Sequence, residues 1–317
     1  TVTDADLLLG YLSPDYFLGG ELRLDRRAAE RAVGEHVARA LGTGVPEAAV
    51  GIHGVVNENM AAAARMHVAE KGRDPRRYTL IAFGGAGPVH AWGLAKLLKL
   101  RRIIYPFGAG VTSALGFLVA APAIDYVRSY VARLERAEWG HVNGLFAEME
   151  AEARGLLLES GASPAEIALH RTADMRYVGQ GFEVPVPLPP GPLDADRLRD
   201  IQEAFFRSYR ERFARHVSDV PVEAVSWRLG ATGPVPNVRL EFAGQPAAPH
   251  DAGRGARPVY FPETGLAACP VYSRYALRSG TALRGPAIIE ERESTIVVGP
   301  DGRASVDEHL NVVVELG

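Results

Sequence analysis

The chain has 317 residues, which suffices for about two domains of ordinary size. Its net charge of -3 argues against a protein whose whole surface binds nucleic acid, because such proteins are strongly basic. No apolar run is long enough to span a membrane and no signal peptide is visible, so we expect a cytoplasmic protein that binds neither nucleic acid nor a membrane.

The cysteine content agrees with a reducing compartment. Cys269 is the single cysteine, so an internal disulfide is excluded. It lies among Ala267, Ala268 and Pro270, with no histidine nearby in the sequence. We therefore expect a buried structural thiol rather than a nucleophile.

Three helices are predicted in the first part of the chain. The sequence begins without an initiator methionine, and Thr3 is predicted to cap a helix over Asp4–Leu12. A second helix is expected over Asp25–Leu41, and a long third helix over Pro46–Lys71. Because a cap stands at the very start, we expect this sequence to be a fragment or a processed piece of a longer protein.

The long predicted helix carries polar residues that an ordinary core helix lacks. His53 and Asn57 are four residues apart and share one face, while Glu58 and Arg65 share another. Asn57 and Asn59 are poor helix formers in a segment otherwise rich in Ala, Val and Met. Two interpretations stay open: these side chains line a cleft, or they hydrogen-bond to a structural neighbour.

The stretch Tyr78–Ala91, YTLIAFGGAGPVHA, combines a strand, a glycine turn and a helix. The apolar run Leu80–Phe83 is typical of a short strand buried on both faces. Pro88 suits the first position of a helix. Between them lies a turn that can present free backbone N–H groups to an anion. The residues of this candidate nucleotide-binding turn are Gly84, Gly85, Ala86 and Gly87.

The charges around the glycine turn favour a phosphate ligand. No Asp or Glu occurs between Asp74 and Asp125. The basic residues of the same segment are Arg76, Arg77, Lys96, Lys99, Arg101 and Arg102. An alternative is that these side chains are solvated or complement a helix C-terminus.

Neither of the common nucleotide-binding loops is present. No Gly-Lys-Ser/Thr follows the turn, which excludes a P-loop. His90 stands where the third glycine of a dinucleotide-binding loop is expected, and Tyr105 stands in the region where an acidic residue is required. A nicotinamide-binding enzyme is therefore disfavoured.

His90 is the first candidate for chemistry. It lies in the first helical turn after the glycines, where the helix dipole favours the neutral ring. It either contacts a phosphate or the substrate, or it packs against the strand. The nine histidines are scattered, with no spacing typical of zinc ligands, so the sequence predicts no metal site within the chain. A metal shared with another subunit stays open.

Two successive strand–glycine–helix units predict an α/β domain over residues 1–121. The second of these units has a strand over Arg102–Tyr105 and a helix over Val111–Val119. Residues 122–317 are predicted to form an α+β domain whose many short strands make a compact antiparallel unit. Its predicted elements are helices over Trp139–Glu159 and Asp194–Phe213, a surface loop over Ala243–Arg257, and strands over His170–Val178, Phe182–Val186, Val222–Leu229, Pro258–Phe261, Ala287–Glu290, Thr295–Val298, Arg303–Val306 and Asn311–Val314.

Several short sequence words are spread over nearly the whole chain. They are Thr1–Asp4 (TVTD), Asp15–Gly20 (DYFLGG), Asn57–Met60 (NENM), Phe83–Ala91 (FGGAGPVHA), Arg176–Gln180 (RYVGQ) and Gly285–Glu291 (GPAIIEE) followed by Ser294-Thr295 (ST). Together they resemble the carboxyl-terminal half of the hydantoinase A/oxoprolinase family, as in N-methylhydantoinase A-like subunits. The resemblance implies the second lobe of an actin-like nucleotide-binding fold, similar to sugar kinases and chaperone ATPases, followed by the α+β domain.

The resemblance also implies a reaction. Family members use ATP, with Mg²⁺, to open cyclic amides such as hydantoins or 5-oxoproline, and relatives carboxylate ketones. By this resemblance Gly84, Gly85, Ala86 and Gly87 contact the nucleotide. His90 and Asn57 are the catalytic candidates that accompany them.

The expected partners are inferred from motifs that the family has and this sequence lacks. Family members have phosphate loops in an amino-terminal lobe, which is missing here. The resemblance implies that this missing lobe, a hydantoinase B-like subunit and a small cyclic amide substrate are the partners, with a homodimer as a further expectation. We expect little or no ATP binding by this chain alone. Two alternatives stay open: a non-catalytic assembly module in which the glycine turn is a relic, or a subunit of a related ATP-dependent ketone carboxylase.

Overall fold

The computed structural model describes residues 1–238 and 252–317, which form two units. The first unit combines Thr1–Phe117 with the described part of Leu240–Gly317, and the second unit is Leu118–Arg239. This packing differs from the contiguous division expected after residue 121. The difference arises because the last strand of the chain pairs with a strand of the amino-terminal segment.

Helices form the start of the first unit. They are α1 (Val2–Leu8), α2 (Arg26–Val33), α3 (Arg39–Leu41) and α4 (Val45–Glu70). The helix predicted over Asp25–Leu41 is present as α2, a wider helical turn over Gly34–Ala38 and α3, which follow one another without a break. The long helix α4 agrees with its prediction. Gly72 follows it with a φ of 62°, a left-handed conformation that suits glycine at a helix end.

The cap of α1 is Thr1, so the prediction of a cap at Thr3 is wrong. The Thr1 hydroxyl accepts a hydrogen bond from the Asp4 N–H, and the Asp4 carboxylate accepts one from the Thr1 amino group at 2.7 Å. This reciprocal capping box requires the cap three residues before its acidic partner, which places Thr3 inside the helix. The helix also ends at Leu8, earlier than expected.

The glycine stretch and the unit after it alternate strand and helix as predicted. Their elements are β1 (Leu80–Ile81), α5 (Gly87–Leu98), β2 (Arg102–Tyr105) and α6 (Thr112–Val119), with β1 parallel to β2. The prediction of a strand buried on both faces is wrong, because Ile81 and Phe83 are 57% and 49% exposed. Among the described residues β1 pairs with β2 alone, and it therefore lies at the edge of its sheet.

The second unit is an antiparallel sheet covered by two helices. Its elements are β3 (Ala123–Arg133), α7 (Trp139–Glu159), β4 (Ala168–Tyr177), β5 (Val184–Pro187), α8 (Leu198–Phe213) and β6 (Val222–Thr232), with the strands in the order β3-β6-β4-β5. Side chains on one face of β4 and β6 share a hydrophobic core with the inner faces of α7 and α8. At its centre Trp227 is fully buried, and its indole N–H donates to the Tyr130 carbonyl at 3.1 Å.

The strands after residue 252 belong to two sheets, so the expectation of one compact antiparallel unit is wrong. They are β7 (Gly253–Phe261), β8 (Gly265–Ser273), β9 (Ala282–Arg284), β10 (Ala287–Glu290), β11 (Thr295–Val298), β12 (Arg303–Val306) and β13 (Val312–Glu315). One sheet has the order β1-β2-β13-β12-β9, and the other β11-β10-β8-β7 with β8 parallel to β10. The sequence patterns miss β8, because Ala267, Ala268 and Pro270 are poor strand formers.

The surface loop predicted over Ala243–Arg257 lies outside the described residues up to position 251. Its last residues belong to β7 instead. Within residues 1–238 and 252–317, no helix is both long and apolar enough to cross a membrane.

The burial of Cys269 makes a chemical prediction. The side chain is fully buried in β8, and this burial raises the pKa of the thiol to about 11 despite the nearby Arg257 charge. Because the thiolate is the reactive form, only about one thiol in a thousand is reactive near pH 8. We expect Ellman's reagent to leave the native protein unmodified on the time scale in which it titrates the guanidinium-unfolded chain. Equal reaction rates for the native and unfolded protein would contradict this burial.

Candidate functional site

Three helices of the first unit bring polar side chains together at one place. Asp6 comes from α1, His53 and Asn57 from α4, and His90 from α5. Asp6, Asn57 and His90 are buried, and the His53 side chain is 12% exposed. The helical spacing of four residues puts His53 and Asn57 on the same face, as the sequence predicted. That face turns towards α5, where His90 lies.

The end of α1 is held by Arg257, which lies on β7. Its guanidinium donates to the Gly10 carbonyl at 2.7 Å and to the Tyr11 carbonyl at 2.8 Å, and it also pairs with the buried Glu290. Gly10 has a φ of 81°, and a Cβ at this position would lie 2.3 Å from the Pro258 carbonyl oxygen. A glycine is therefore required for the close approach that fixes α1, and with it Asp6, against the sheet.

Helix α5 meets α4 closely because Gly93 has no side chain. A Cβ at Gly93 would lie 2.4 Å from Asn57 Nδ2. Asn57 Oδ1 lies 2.9 Å from His90 Nδ1. Since a carbonyl oxygen can only accept, His90 carries a proton on Nδ1 and, when neutral, a lone pair on Nε2.

His90, His53 and Asp6 are in direct contact. His53 Nδ1 lies 2.7 Å from Asp6 Oδ1, and His90 Nε2 lies 3.5 Å from Asp6 Oδ2. The two imidazole rings stack with centroids 4.4 Å apart. Burial lowers the pKa of His90 below its ordinary value; the adjacent His53 acts in the same direction, and the Asp6 carboxylate opposes both. This pKa direction favours the neutral ring, as the helix position had suggested, with burial as the main cause.

Two cavities border this cluster. The larger, of about 620 Å³, has His53, Asn57 and Lys96 among its polar lining residues. The smaller, of about 220 Å³, is lined by residues that include Asp6 and the glycine turn. His90 lies on the wall of neither of these two cavities. Its side chain is therefore in place to position its neighbours rather than to contact a ligand in either cavity.

The glycine turn forms part of the wall of the smaller cavity. Gly84 has a φ of 89°, and its N–H donates to the Ala109 carbonyl at 2.8 Å. Gly85 and Ala86 are exposed and line the cavity, and Gly87 begins α5. In the part of the chain that the structure describes, the N–H groups of Gly85 and Ala86 have no protein acceptor. They are thus available to an anion in this cavity.

The charges at the turn differ from the acid-free environment that the sequence suggested. Asp6, Glu291, Arg292 and Glu293 line the same cavity as Gly85. The basic residues near the turn in sequence pair elsewhere: Arg76 with Asp74, Lys96 with Glu263 and Asp301, and Arg102 with Glu315. The expectation of a basic neighbourhood is wrong, because folding brings acidic residues to the turn from both ends of the chain.

Glu291 joins the loop after β2, which contains Gly108 and Gly110, to the segment after β10. Its carboxylate accepts from the Gly108 N–H at 3.0 Å and from the Ser294 hydroxyl at 2.8 Å. A Cβ at Gly110 would lie 2.5 Å from Glu293 Cβ, so this loop also packs closely against the segment. No role was predicted for Glu291, and the only sequence signal for it is the GPAIIEE word with the ST that follows.

Asp6 and His53 were likewise not predicted as partners of His90. His53 was predicted only as a helical neighbour of Asn57, and no role was predicted for Asp6. Zinc spacing gave no signal, because the three side chains come from three separate helices. A rule based on local spacing cannot find such a cluster.

The Asn57–His90 hydrogen bond gives a direct test of the site. We expect long-range ¹H–¹⁵N NMR to show His90 with its proton on Nδ1. In Asn57→Ala the Nδ1–H loses its buried acceptor, and the free energy of unfolding should fall by about 1–3 kcal/mol. Asn59→Ala is the matched control, because Asn59 is an exposed asparagine two residues away on the same helix. An Nε2–H tautomer in the unmodified protein would contradict the arrangement.

Both the sequence and the fold of this chain resemble those of named protein families and enzymes. The hydantoinase/oxoprolinase sequence model matches residues 1–126, and the hydantoinase/oxoprolinase C-terminal domain model matches residues 132–313. The acetophenone carboxylase gamma subunit of Aromatoleum aromaticum is 32% identical over 342 residues, which are 99% of this chain and 44% of the relative. Caprolactamase subunit alpha of Pseudomonas jessenii is 31% identical over 316 residues, which are 97% of this chain and 45% of the relative.

Over its whole length, this chain is similar in fold to the crystal structure of ATP-dependent caprolactamase from Pseudomonas jessenii. The TM-score is 0.72 at 30% sequence identity, over 100% of this chain and 47% of that chain. The chain thus spans less than half the length of the curated relatives it matches. The likeness confirms the predicted fold, a mixed α/β architecture of the family type. With one family match covering more than half of its residues, the chain belongs to the hydantoinase/oxoprolinase family.

Proposed function

We propose that this chain supplies one wall of the ATP site in an enzyme that opens a cyclic amide with ATP hydrolysis. The caprolactamase of Pseudomonas jessenii, named as ATP-dependent, supports this function through its likeness over the whole chain. The observation that carries the proposal is the glycine turn before α5. Gly85 and Ala86 line a cavity, and among the described residues no protein acceptor occupies their N–H groups, which can therefore bind a phosphate oxygen.

The residues around the turn fit a nucleotide that arrives with Mg²⁺. Asp6 and Glu293 line the same cavity as Gly85, and carboxylates repel a bare phosphate. Oxygen ligands of this kind suit Mg²⁺, which usually bridges protein carboxylates or water to substrate phosphates. The cavity of about 220 Å³ is too small for a whole nucleotide, which agrees with a single wall of a larger cleft.

The chain's own groups bind and orient in this proposal. ATP, when bound, supplies a phosphoryl group to the amide oxygen, and that oxygen can then leave the carbon as phosphate. Gly85 and Ala86 hold a phosphate oxygen by their N–H groups, and Gly84 and Gly87 shape the turn. His90 and Asn57 are proposed to act by positioning His53, which lies on the wall of the larger cavity.

We propose further that the active enzyme contains an amino-terminal lobe and a second, hydantoinase B-like subunit. The relatives are themselves described as a gamma subunit and a subunit alpha. Large apolar side chains support protein contacts, since Ile81, Phe83 and Phe117 are 57%, 49% and 85% exposed. A homodimer is a further proposal on the same basis.

A second candidate function is the carboxylation of a ketone. It is favoured by the 32% identity with the acetophenone carboxylase gamma subunit. An assay of ATP hydrolysis by the full-length protein with its partner subunit distinguishes the two functions. Turnover that depends on caprolactam, hydantoin or 5-oxoproline supports the amide hydrolase. Turnover that requires both a ketone and bicarbonate supports the carboxylase, and no substrate-dependent turnover in any mixture favours the assembly module.

The glycine turn is tested by Gly85→Val in this complete enzyme. A Cβ at Gly85 would meet only the Glu293 carbonyl oxygen, at 3.5 Å, so the chain should fold, while the branched side chain fills the phosphate position. We expect ATP turnover to fall at least about a hundredfold, the scale seen on loss of one oxyanion donor. Gly181→Val is the control, because nothing lies within 4 Å of a Cβ at this loop glycine. Unchanged turnover in Gly85→Val would mean that the turn is a relic.

A further inference from the structure

Asp6, His53 and His90 also form a cluster of their own, apart from the N–H groups of the glycine turn. A carboxylate oxygen and one ring nitrogen of each histidine lie within 4.8 Å of one another. Asp6 and His90 are only 3% and 5% exposed. Buried polar atoms are costly unless each finds a complementary partner. Each polar atom of this cluster therefore needs a complementary partner.

In one contact of the cluster, two hydrogen-bond acceptors face each other without a proton between them. The hydrogen bond with Asn57 places the proton of neutral His90 on Nδ1, which leaves a lone pair on Nε2. That nitrogen lies 3.5 Å from Asp6 Oδ2, a carboxylate oxygen that also has no proton to donate. The other oxygen of Asp6 is 2.7 Å from His53 Nδ1. A cation shared by the three side chains would turn the unfavourable contact into two bonds.

The separations agree with the coordination geometry of zinc. Bonds of about 2.0–2.1 Å in a tetrahedral site place neighbouring ligand atoms about 3.3 Å apart. The Asp6 carboxylate meets the two rings through different oxygens, with Oδ1 2.7 Å from His53 Nδ1 and Oδ2 3.5 Å from His90 Nε2, and each of these separations is near that value. Two imidazoles and one carboxylate are a ligand set for zinc and related divalent transition metals.

Asn57 occupies the position of an outer partner for such a site. Histidines that bind a metal through one nitrogen usually donate the other N–H to a carbonyl or carboxylate oxygen. His90 Nδ1 does so to Asn57 Oδ1 at 2.9 Å, and the close packing of Gly93 holds Asn57 in place. The ring of His90 is thus already oriented with Nε2 towards Asp6 and His53.

We propose that Asp6, His53 and His90 bind one divalent transition-metal ion of the zinc class. Three protein ligands leave a further coordination position, which suits water or another oxygen ligand. His53 lies on the wall of the larger cavity and Asp6 on that of the smaller, so both cavities border the metal. This inference does not depend on the proposed ATP chemistry.

The test uses the full-length protein with any subunit that copurifies, stripped with a chelator and titrated with Co²⁺. Cobalt substitutes for zinc and reports its ligands by visible absorption. We expect His53→Ala to lose one cobalt equivalent per chain relative to the unmodified protein. His67→Ala, which removes an exposed histidine of the same helix α4, should keep the full stoichiometry and spectrum. Because the readout is a difference between variants, metal bound by another subunit does not affect it.

Two further variants keep the result interpretable. Asn57→Ala leaves the three ligands in place and should weaken cobalt binding by about 10–100-fold without removing it. Asp6→Asn has the size of the original side chain and should lose the metal as His53→Ala does, with folding checked by circular dichroism. The proposal is overturned if His53→Ala and Asp6→Asn bind cobalt with the stoichiometry and spectrum of the unmodified protein. It is equally overturned if neither the stripped, unmodified protein nor His67→Ala takes up cobalt.

Discussion

The hydrogen bond between Asn57 and His90 is the contact on which the site depends. It joins α4 to α5, and it forms because Gly93 allows the two helices to approach closely. His90 follows the start of α5 by three residues, so the same contact also fixes the glycine turn that precedes the helix. One buried polar pair thereby relates the turn, the larger cavity and the Asp6–His53–His90 cluster.

Helix α1, which carries Asp6, is positioned by charge rather than by apolar packing alone. Arg257 donates to two carbonyl oxygens after α1 and pairs with Glu290 on β10, which is 4% exposed. A buried carboxylate without its cation is strongly destabilising, so this pair constrains the distance between α1 and the sheet. Asp6 therefore reaches His53 because a strand from the carboxyl-terminal part of the chain holds the loop behind it.

The sequence predicted what local patterns determine. The helix Trp139–Glu159 and the strands Ala287–Glu290, Thr295–Val298 and Arg303–Val306 have the expected bounds, because apolar periodicity and flanking glycines act within a short window. The sheet order was not predicted, and the charges at the turn were predicted wrongly. They depend on residues hundreds of positions apart, such as the pairing of β2 with β13. The cap at Thr1 was missed for a local reason, since Thr1 and Thr3 each have an aspartate three positions later, Asp4 and Asp6, and this pattern does not distinguish the two threonines.

The glycine turn and the carboxylates beside it impose a condition on any ligand. The N–H groups of Gly85 and Ala86 attract an anion, whereas Asp6 and Glu293 on the same cavity wall repel one. Both demands are met when the anion arrives with a cation that the carboxylates can approach. The acidic wall would thus select a phosphate already neutralised by a metal ion over a free one.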